Sequence, residues 1–127
     1  MGAPRLEQRV FRRLTVELPV AYRVVPAAGS AGEFATGQVL NLSSGGMLLR
    51  APEIPIAAAP HLLAGEGRIE VRFDLGDQGP ALQFVSRVIW LQGPNQSDPN
   101  CQFGLMFLDV AAATRERLHA FVSAQAE

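Results

Sequence analysis

The sequence predicts a small antiparallel β-barrel or β-sandwich that is closed by one C-terminal helix. Segments with apolar residues at alternate positions, which are typical of half-buried strands, recur along the chain and give six predicted strands. Short stretches rich in glycine, serine and proline separate these segments. The C-terminal segment instead has the apolar spacing of an amphipathic helix. An all-β pattern with one closing helix favours a barrel or a sandwich.

Three strands are predicted in the N-terminal half of the chain. The first has apolar residues at alternate positions, which are Val16, Leu18, Val20, Tyr22 and Val24. A turn-like segment over residues 26–33 leads to a second strand over about 34–42. Residues 43–46 form a tight turn into a short third strand over 47–50.

Three further strands are predicted beyond residue 67. Residues 52–67 contain three prolines and an alanine-rich centre, so we predict no regular structure there. The fourth strand covers 68–75, with Ile69, Val71, Phe73 and Leu75 on one face. A turn over 76–79 leads to the fifth strand over 81–92, and the sixth strand covers 101–108.

The C-terminal segment predicts a helix over about residues 110–124. Leu118, Phe121 and Val122 fall on one face at positions i, i+3 and i+4. Asp109 is the predicted N-cap, because its carboxylate can accept hydrogen bonds from the free N–H groups of a first turn.

Composition places the chain among compact globular domains. Its 127 residues are 48% hydrophobic and 18% charged, which is enough for one domain with a true core. We divide it into a basic N-terminal segment, 1–15, and a barrel with its helix, 16–127.

The net charge of −1 argues against binding of long nucleic acids. No apolar run approaches the roughly 18–20 residues of a membrane span, and 1–8 does not resemble a signal peptide, so we expect a cytoplasmic protein without membrane insertion.

A basic cluster precedes the first predicted strand. Arg5, Arg9, Arg12 and Arg13 stand against Glu7 alone, four positive charges against one negative, which is a local charge of +3. Such a cluster is commonly only a solvated tail. However, guanidinium groups also bind phosphate through paired hydrogen bonds, match O6 and N7 of guanine, and stack on bases. The cluster therefore suits a small anionic ligand, above all a guanine nucleotide.

A second pattern covers residues 41–46, with the sequence Asn-Leu-Ser-Ser-Gly-Gly. It is consistent with an ordinary β-hairpin turn. It would also gather an amide, a hydroxyl and bare backbone N–H groups at a barrel rim, where glycine lets ligand atoms approach the main chain.

Taken together, the two patterns resemble the PilZ domain family, which carries R-x-x-x-R followed by [D/N]-x-S-x-x-G. Here the motifs are Arg9-x-x-x-Arg13 and Asn41-x-Ser43-x-x-Gly46. Further segments that resemble the family's strands are residues 14–20, 88–91 and 103–108. The resemblance implies a six-stranded antiparallel β-barrel with a C-terminal helix. It also implies that the ligand is the bacterial second messenger cyclic di-GMP, with no cofactor.

The resemblance also implies a role for each motif residue. Arg9 and Arg13 would hold the guanine edge and the phosphates. Asn41 would hydrogen-bond a guanine or hold the arginine loop. Ser43 would donate to a phosphate or to a base acceptor, and Gly46 would leave room for the nucleotide.

Four other residues are possible accessory contacts. Arg12 and Gly45 lie within the two motifs. Gln8 stands where some relatives carry an arginine associated with a stacked pair of ligands, which favours one ligand copy here. Trp90 is either a core aromatic residue or a residue that stacks on a guanine.

No catalytic or metal site is predicted. His61 and His119 are isolated in sequence, and Cys101 has no identifiable activating neighbour. Since a nucleophile, a base and oxyanion donors do not come together, we expect no enzyme.

The expected function is that of a cyclic di-GMP receptor whose ligand changes its surface and so regulates a protein partner. Motility and biofilm formation are outputs that the family resemblance suggests. The alternative is a PilZ-like interaction scaffold that does not bind nucleotide. A small barrel that binds nucleic acid has thin support, because only 7% of the residues are aromatic. We expect a monomer or a weak dimer.

Overall fold

The computed structural model describes residues 14–52, 59–77, 79–94, 96 and 99–125. They form six strands and two helices. The strands are β1 (Leu14–Pro26), β2 (Ala35–Leu42), β3 (Gly46–Ala51), β4 (Gly67–Phe73), β5 (Leu82–Gln92) and β6 (Cys101–Phe107). The helices are α1 (Ala59–Leu63) and α2 (Ala112–Gln125). All neighbouring strands are antiparallel and close into a barrel in the order β1-β2-β3-β6-β5-β4. The predicted six-stranded antiparallel barrel with a C-terminal helix is confirmed.

The barrel core consists of the inward side chains of the alternating strands. On β4, Ile69, Val71 and Phe73 are buried, and Leu75 just beyond the strand is buried with them, as their spacing predicts. Burying each large apolar side chain contributes about 1.5–3 kcal/mol, so this alternation fixes which face of each strand points inward. The outward face remains available for a ligand.

Helix α2 packs one face against the barrel. Leu118 and Val122 are fully buried and Phe121 is partly buried, which confirms the predicted apolar face. The predicted N-cap is wrong, since the Arg115 N–H donates to the Ala111 carbonyl at 2.9 Å and the helix begins at Ala112. Asp109 instead has a positive φ of 54°, and it lies in the bend that leads the chain from β6 towards α2.

An ion pair joins α2 to the connection between β4 and β5. Arg117 donates from Nη2 to Asp77 Oδ1 at 2.6 Å and from Nε to Asp77 Oδ2 at 2.9 Å. These hydrogen bonds, together with one from the Gly79 N–H, lower the pKa of Asp77 to about 2. The helix is therefore held both by its buried face and by a bidentate ion pair.

The connection over residues 52–67, for which we predict no regular structure, contains the short helix α1. Leu62 of α1 is 1% exposed and joins the core. His61 is not isolated, because its Nδ1 lies 2.7 Å from Glu66 Oε1 at the surface. Among the described residues no group of three or more histidine, cysteine, aspartate or glutamate side chains could hold a metal ion. Neither α1 nor α2 has the length and apolar character needed to cross a membrane.

Candidate functional site

Strand register aligns four residues in a row across the outer face of the barrel. Asn41 on β2 pairs with Leu48 on β3, Leu48 pairs with Gly104 on β6, and Gly104 pairs with Trp90 on β5. The row thus brings together residues that are up to 63 positions apart in sequence (41 to 104).

A groove of about 660 Å³ lies over this row. Its walls are formed by the turn after β2, by β3, β5 and β6, and by the start of α2. The lining residues used below are Asn41, Ser43, Gly46, Trp90, Gly104 and Arg115. Small-molecule sites in proteins commonly measure about 300–1,000 Å³, so the groove has the size of a site for a ligand such as a dinucleotide.

Asn41 presents a buried hydrogen-bond acceptor at this groove. Its Oδ1 is buried and has no hydrogen-bond partner among the described residues. A buried acceptor without a partner typically costs about 1–3 kcal/mol, so such an atom is expected to receive a donor when the site is occupied. The pairing of β2 with β3 shifts register between Val39 and Asn41, and β-bulges of this kind re-aim side chains.

Ser43 organises the turn that follows Asn41. Its Oγ accepts hydrogen bonds from the N–H groups of Gly45 and Gly46, both at 3.2 Å. The backbone N–H of Ser43 donates to the Gly46 carbonyl at 2.9 Å, and the Gly45 carbonyl accepts from Phe107 on β6 at 3.0 Å. The hydroxyl therefore stabilises the turn, and the turn is attached to β6.

Gly46 is required by the packing of the barrel. It faces Met106 where β3 pairs with β6, and a Cβ atom at this position would overlap the carbonyl oxygen of Leu105. The expected role of Gly46 in leaving room for a nucleotide stays a prediction. The close approach of β6 to β3 is a separate reason for glycine at position 46, and the sequence alone does not reveal it.

Trp90 is not a core residue, so that interpretation of it is wrong. Its side chain is 44% exposed and packs over Gly104, where a Cβ atom would lie 3.2 Å from Trp90 Cβ. The pairing of β5 with β6 shifts register between Val88 and Trp90. In an unbroken register Ile89 would face Gly104 and Trp90 would point inward, so this bulge places the indole on the groove.

Arg115 is a lining residue that the sequence analysis missed. It is exposed on the first turn of α2, and it is the only charged residue among those that line the groove in the described part of the chain. The sequence places it three residues before the buried Leu118 and shortly after β6, but nothing in the sequence showed that α2 begins beside the turn.

The sequence profile of the PilZ domain matches residues 5–124. This chain belongs to the PilZ domain family. A comparison with curated protein sequences found no match. The matched region includes both motifs.

Solved structures share the fold of this PilZ domain. The inhibitor of motility MotI/DgrA from Bacillus subtilis superposes with a TM-score of 0.64 at 15% identity, over 91% of this chain and 50% of that one. The PilZ domain with c-di-GMP of YcgR from Escherichia coli gives 0.60 at 16% identity, over 91% and 89%. PlzA from Borreliella burgdorferi, in complex with c-di-GMP, gives 0.57 at 13% identity, over 96% and 55%. This chain thus spans only about half the length of MotI/DgrA and PlzA.

The arginine motif of this PilZ domain lies outside the described residues, which holds for Arg9 and Arg13 and for the neighbouring Gln8 and Arg12. The described chain begins at Leu14, which pairs with Leu42 next to the Ser43 turn. The other motif residues, Asn41, Ser43, Gly45 and Gly46, all line the groove.

Proposed function

We propose that this PilZ domain is a non-enzymatic cytoplasmic receptor that binds one molecule of cyclic di-GMP in the groove. One observation carries the proposal. The groove combines the buried Oδ1 of Asn41, which has no hydrogen-bond partner in the described part of the chain, with the exposed ring of Trp90. A hydrogen-bond acceptor for the base edge and a flat aromatic surface for its face can together hold a guanine.

The chemistry of guanine fits these two groups. Its edge carries N–H donors, including the exocyclic amine, for which a carboxamide oxygen is a suitable acceptor. Trp90 offers a stacking surface for a base. If Asn41 holds the arginine segment instead, its Oδ1 accepts a guanidinium N–H and the base is held by Trp90 and the arginines.

The basic segment supplies the charge that two phosphates require. Arg13 directly precedes Leu14, and Leu14 pairs with Leu42, so the segment joins the barrel beside the 43–46 turn. Arg9 and Arg13 would then hold the phosphates and the guanine edge through paired hydrogen bonds. Ser43 contributes mainly by keeping the turn in shape, since its Oγ already accepts two N–H groups.

Calorimetric titration of cyclic di-GMP into the wild-type protein and Arg13→Ala tests the proposal. We expect a wild-type dissociation constant near or below about 1 μM, equivalent to roughly −8 kcal/mol. Loss of one buried charged contact costs about 2–5 kcal/mol, so Arg13→Ala should weaken binding by tens- to thousands-fold. The control is Arg72→Ala, which removes the same charge from β4, where Arg72 packs on Phe34 away from the groove.

Absence of binding by the wild-type protein would contradict the receptor. Equal weakening by Arg13→Ala and Arg72→Ala would contradict the role of the motif. Chromatography of the nucleotide after incubation with the protein checks the non-enzymatic part, since a receptor returns cyclic di-GMP intact.

A protein partner completes the proposed function. Four of the five exposed large hydrophobic residues in the described chain lie on β5 and β6, namely Val85, Ile89, Trp90 and Met106. Exposed apolar patches mark sites of interaction. A ligand over Trp90 would change this face, and recruitment or release of the partner would then depend on cyclic di-GMP.

The same face supports the second candidate function, a scaffold that binds protein without nucleotide. The two functions differ in how partner binding responds to ligand. A scaffold retains its partner equally with and without cyclic di-GMP, and equally in Arg13→Ala. A receptor changes its partner occupancy on addition of ligand, and Arg13→Ala abolishes that change.

A further inference from the structure

The groove described above is almost entirely neutral. Among the described residues that line it, only Arg115 carries a charge. An anionic ligand that leaves water for a neutral groove loses hydration without a compensating charge. Each phosphate of a dinucleotide therefore needs a cation, and Arg115 on α2 is the one that the described lining of the groove offers in addition to the basic segment.

Arg115 has no ion-pair or side-chain hydrogen-bond partner among the described residues. Two other arginines do have carboxylate partners, since Arg23 pairs with Glu70 at 2.7 Å and Arg117 pairs with Asp77 at 2.6 Å. Arg115 and Arg117 lie two positions apart on α2, and only Arg117 is used in attaching the helix. Within the described part of the chain, all donors of the Arg115 guanidinium are therefore open to a ligand.

The base of the Arg115 side chain is held in place by the fold. Helix α2 is anchored by the buried Leu118 and Val122 and by the bidentate pair between Arg117 and Asp77. Its first turn follows β6, whose last residue, Phe107, bonds to Gly45 in the turn after β2. Because the backbone is fixed, binding through Arg115 costs mainly the ordering of one side chain.

We propose that Arg115 binds a phosphate of the cyclic dinucleotide, so that α2 contributes a ligand contact outside the two sequence motifs. This inference rests on the proposed function. The planar fork of arginine donates two parallel hydrogen bonds to a phosphate, which suits an exposed arginine at the rim of a groove. The C-terminal helix thereby senses the ligand directly.

Titration of cyclic di-GMP into Arg115→Gln at several salt concentrations tests this contact. We expect the affinity to fall by about 10- to 100-fold, the range for loss of a hydrogen bond to a charged group. We also expect affinity to depend less steeply on salt in Arg115→Gln than in the wild type, since one ionic contact is gone. Arg115→Lys keeps the charge and should recover part of the affinity. Arg72→Gln, which makes the same change away from the groove, should bind like the wild type.

The outcomes separate the two proposals. No binding by the wild-type protein overturns the receptor function. Wild-type affinity in Arg115→Gln, with the wild type binding normally, overturns the Arg115 contact alone. Weaker binding with an unchanged salt dependence also overturns it, because a merely structural role would give that result. Thermal unfolding of Arg115→Gln should match the wild type, since the side chain is exposed.

Discussion

At the scale of single residues, Trp90 shows how one register shift exposes an aromatic side chain at the groove. If its indole stacks on a guanine, Trp90→Ala should lose about 1–3 kcal/mol of binding, the usual value for a base on an aromatic ring. Trp90→Phe keeps a ring and should lose less. Calorimetric titration of cyclic di-GMP into both variants measures the difference. Equal affinity in Trp90→Ala and the wild type would show that the base lies elsewhere.

The close packing at Gly46 leads us to predict that a larger residue at this position lowers the stability of the folded protein. A methyl group there collides with the Leu105 carbonyl, so Gly46→Ala must separate β3 from β6 or distort one of them. Overpacking of this kind costs about 1–3 kcal/mol. Urea denaturation should show the loss, and Gly93→Ala is the control, because a Cβ at Gly93 meets nothing within 4 Å. If both variants unfold at the same urea concentration, the close approach of Leu105 to position 46 does not destabilise Gly46→Ala, and the prediction is wrong.

Residue roles could be predicted only in part. The motif over residues 41–46 was recognisable because its residues are close together in sequence. The residues predicted there as ligand contacts, Asn41, Ser43, Gly45 and Gly46, do line the groove. Trp90 was open to a core interpretation because strict alternation from Val88 points it inward, and a bulge leaves no mark in a single sequence. Arg115 could not be found, since its place depends on where α2 packs.

At the scale of elements, the ion pair that attaches α2 to the β4–β5 connection should make the stability of the protein depend on pH. The pKa of Asp77 in the folded protein is about 2, below its ordinary value of 3.8. The contribution of its ion pair to stability is therefore complete above the unfolded pKa and is lost as the pH falls through the folded pKa. The relevant window runs from about pH 3.8 down to about 2.

Asp77→Asn should unfold at a lower temperature than the wild type above this window, and the difference should vanish at its acid end. Thermal unfolding followed by circular dichroism at a series of pH values measures both. Asp109→Asn is the control, because it removes the same charge from an exposed residue outside the ion pair. A difference in unfolding temperature that stays constant through the window would exclude the ion pair as its source.

The strands were more predictable than their connections. The limits of β4 and β5 follow the apolar alternation within one or two residues, because burial of one face dominates the energy of a strand. Helix α1 was missed because five residues within a proline-containing connection leave no periodic pattern. The start of α2 was placed too early because Asp109 belongs to a left-handed bend rather than to a helix cap.

At the scale of the whole molecule, a ligand that binds only the folded barrel must stabilise it. At a ligand concentration of 100 times the dissociation constant the gain is about 2.7 kcal/mol, which raises Tm by on the order of 10 °C for a domain of this size. Cyclic di-GMP should produce this shift in the wild type and in Arg72→Ala, and a much smaller one in Arg13→Ala. An equal shift with cyclic di-AMP would contradict recognition of the guanine edge by Asn41.

The closed barrel could be predicted from the number of strands and from the family resemblance. The groove could not be predicted from either. The row from Asn41 through Leu48 and Gly104 to Trp90 exists only because β3 pairs with β6 and β6 pairs with β5. Which strands become neighbours depends on the energy of the whole core. No local pattern in the sequence contains that information.

The chain has one tryptophan and one tyrosine, and the fold places them in opposite environments. Tyr22 is 1% exposed inside the barrel, while Trp90 is 44% exposed at the groove. Indole emission therefore reports on events at the groove, and phenol absorbance reports on the integrity of the core. The protein carries two intrinsic optical probes, which allow occupancy and unfolding to be followed separately in one unlabelled sample.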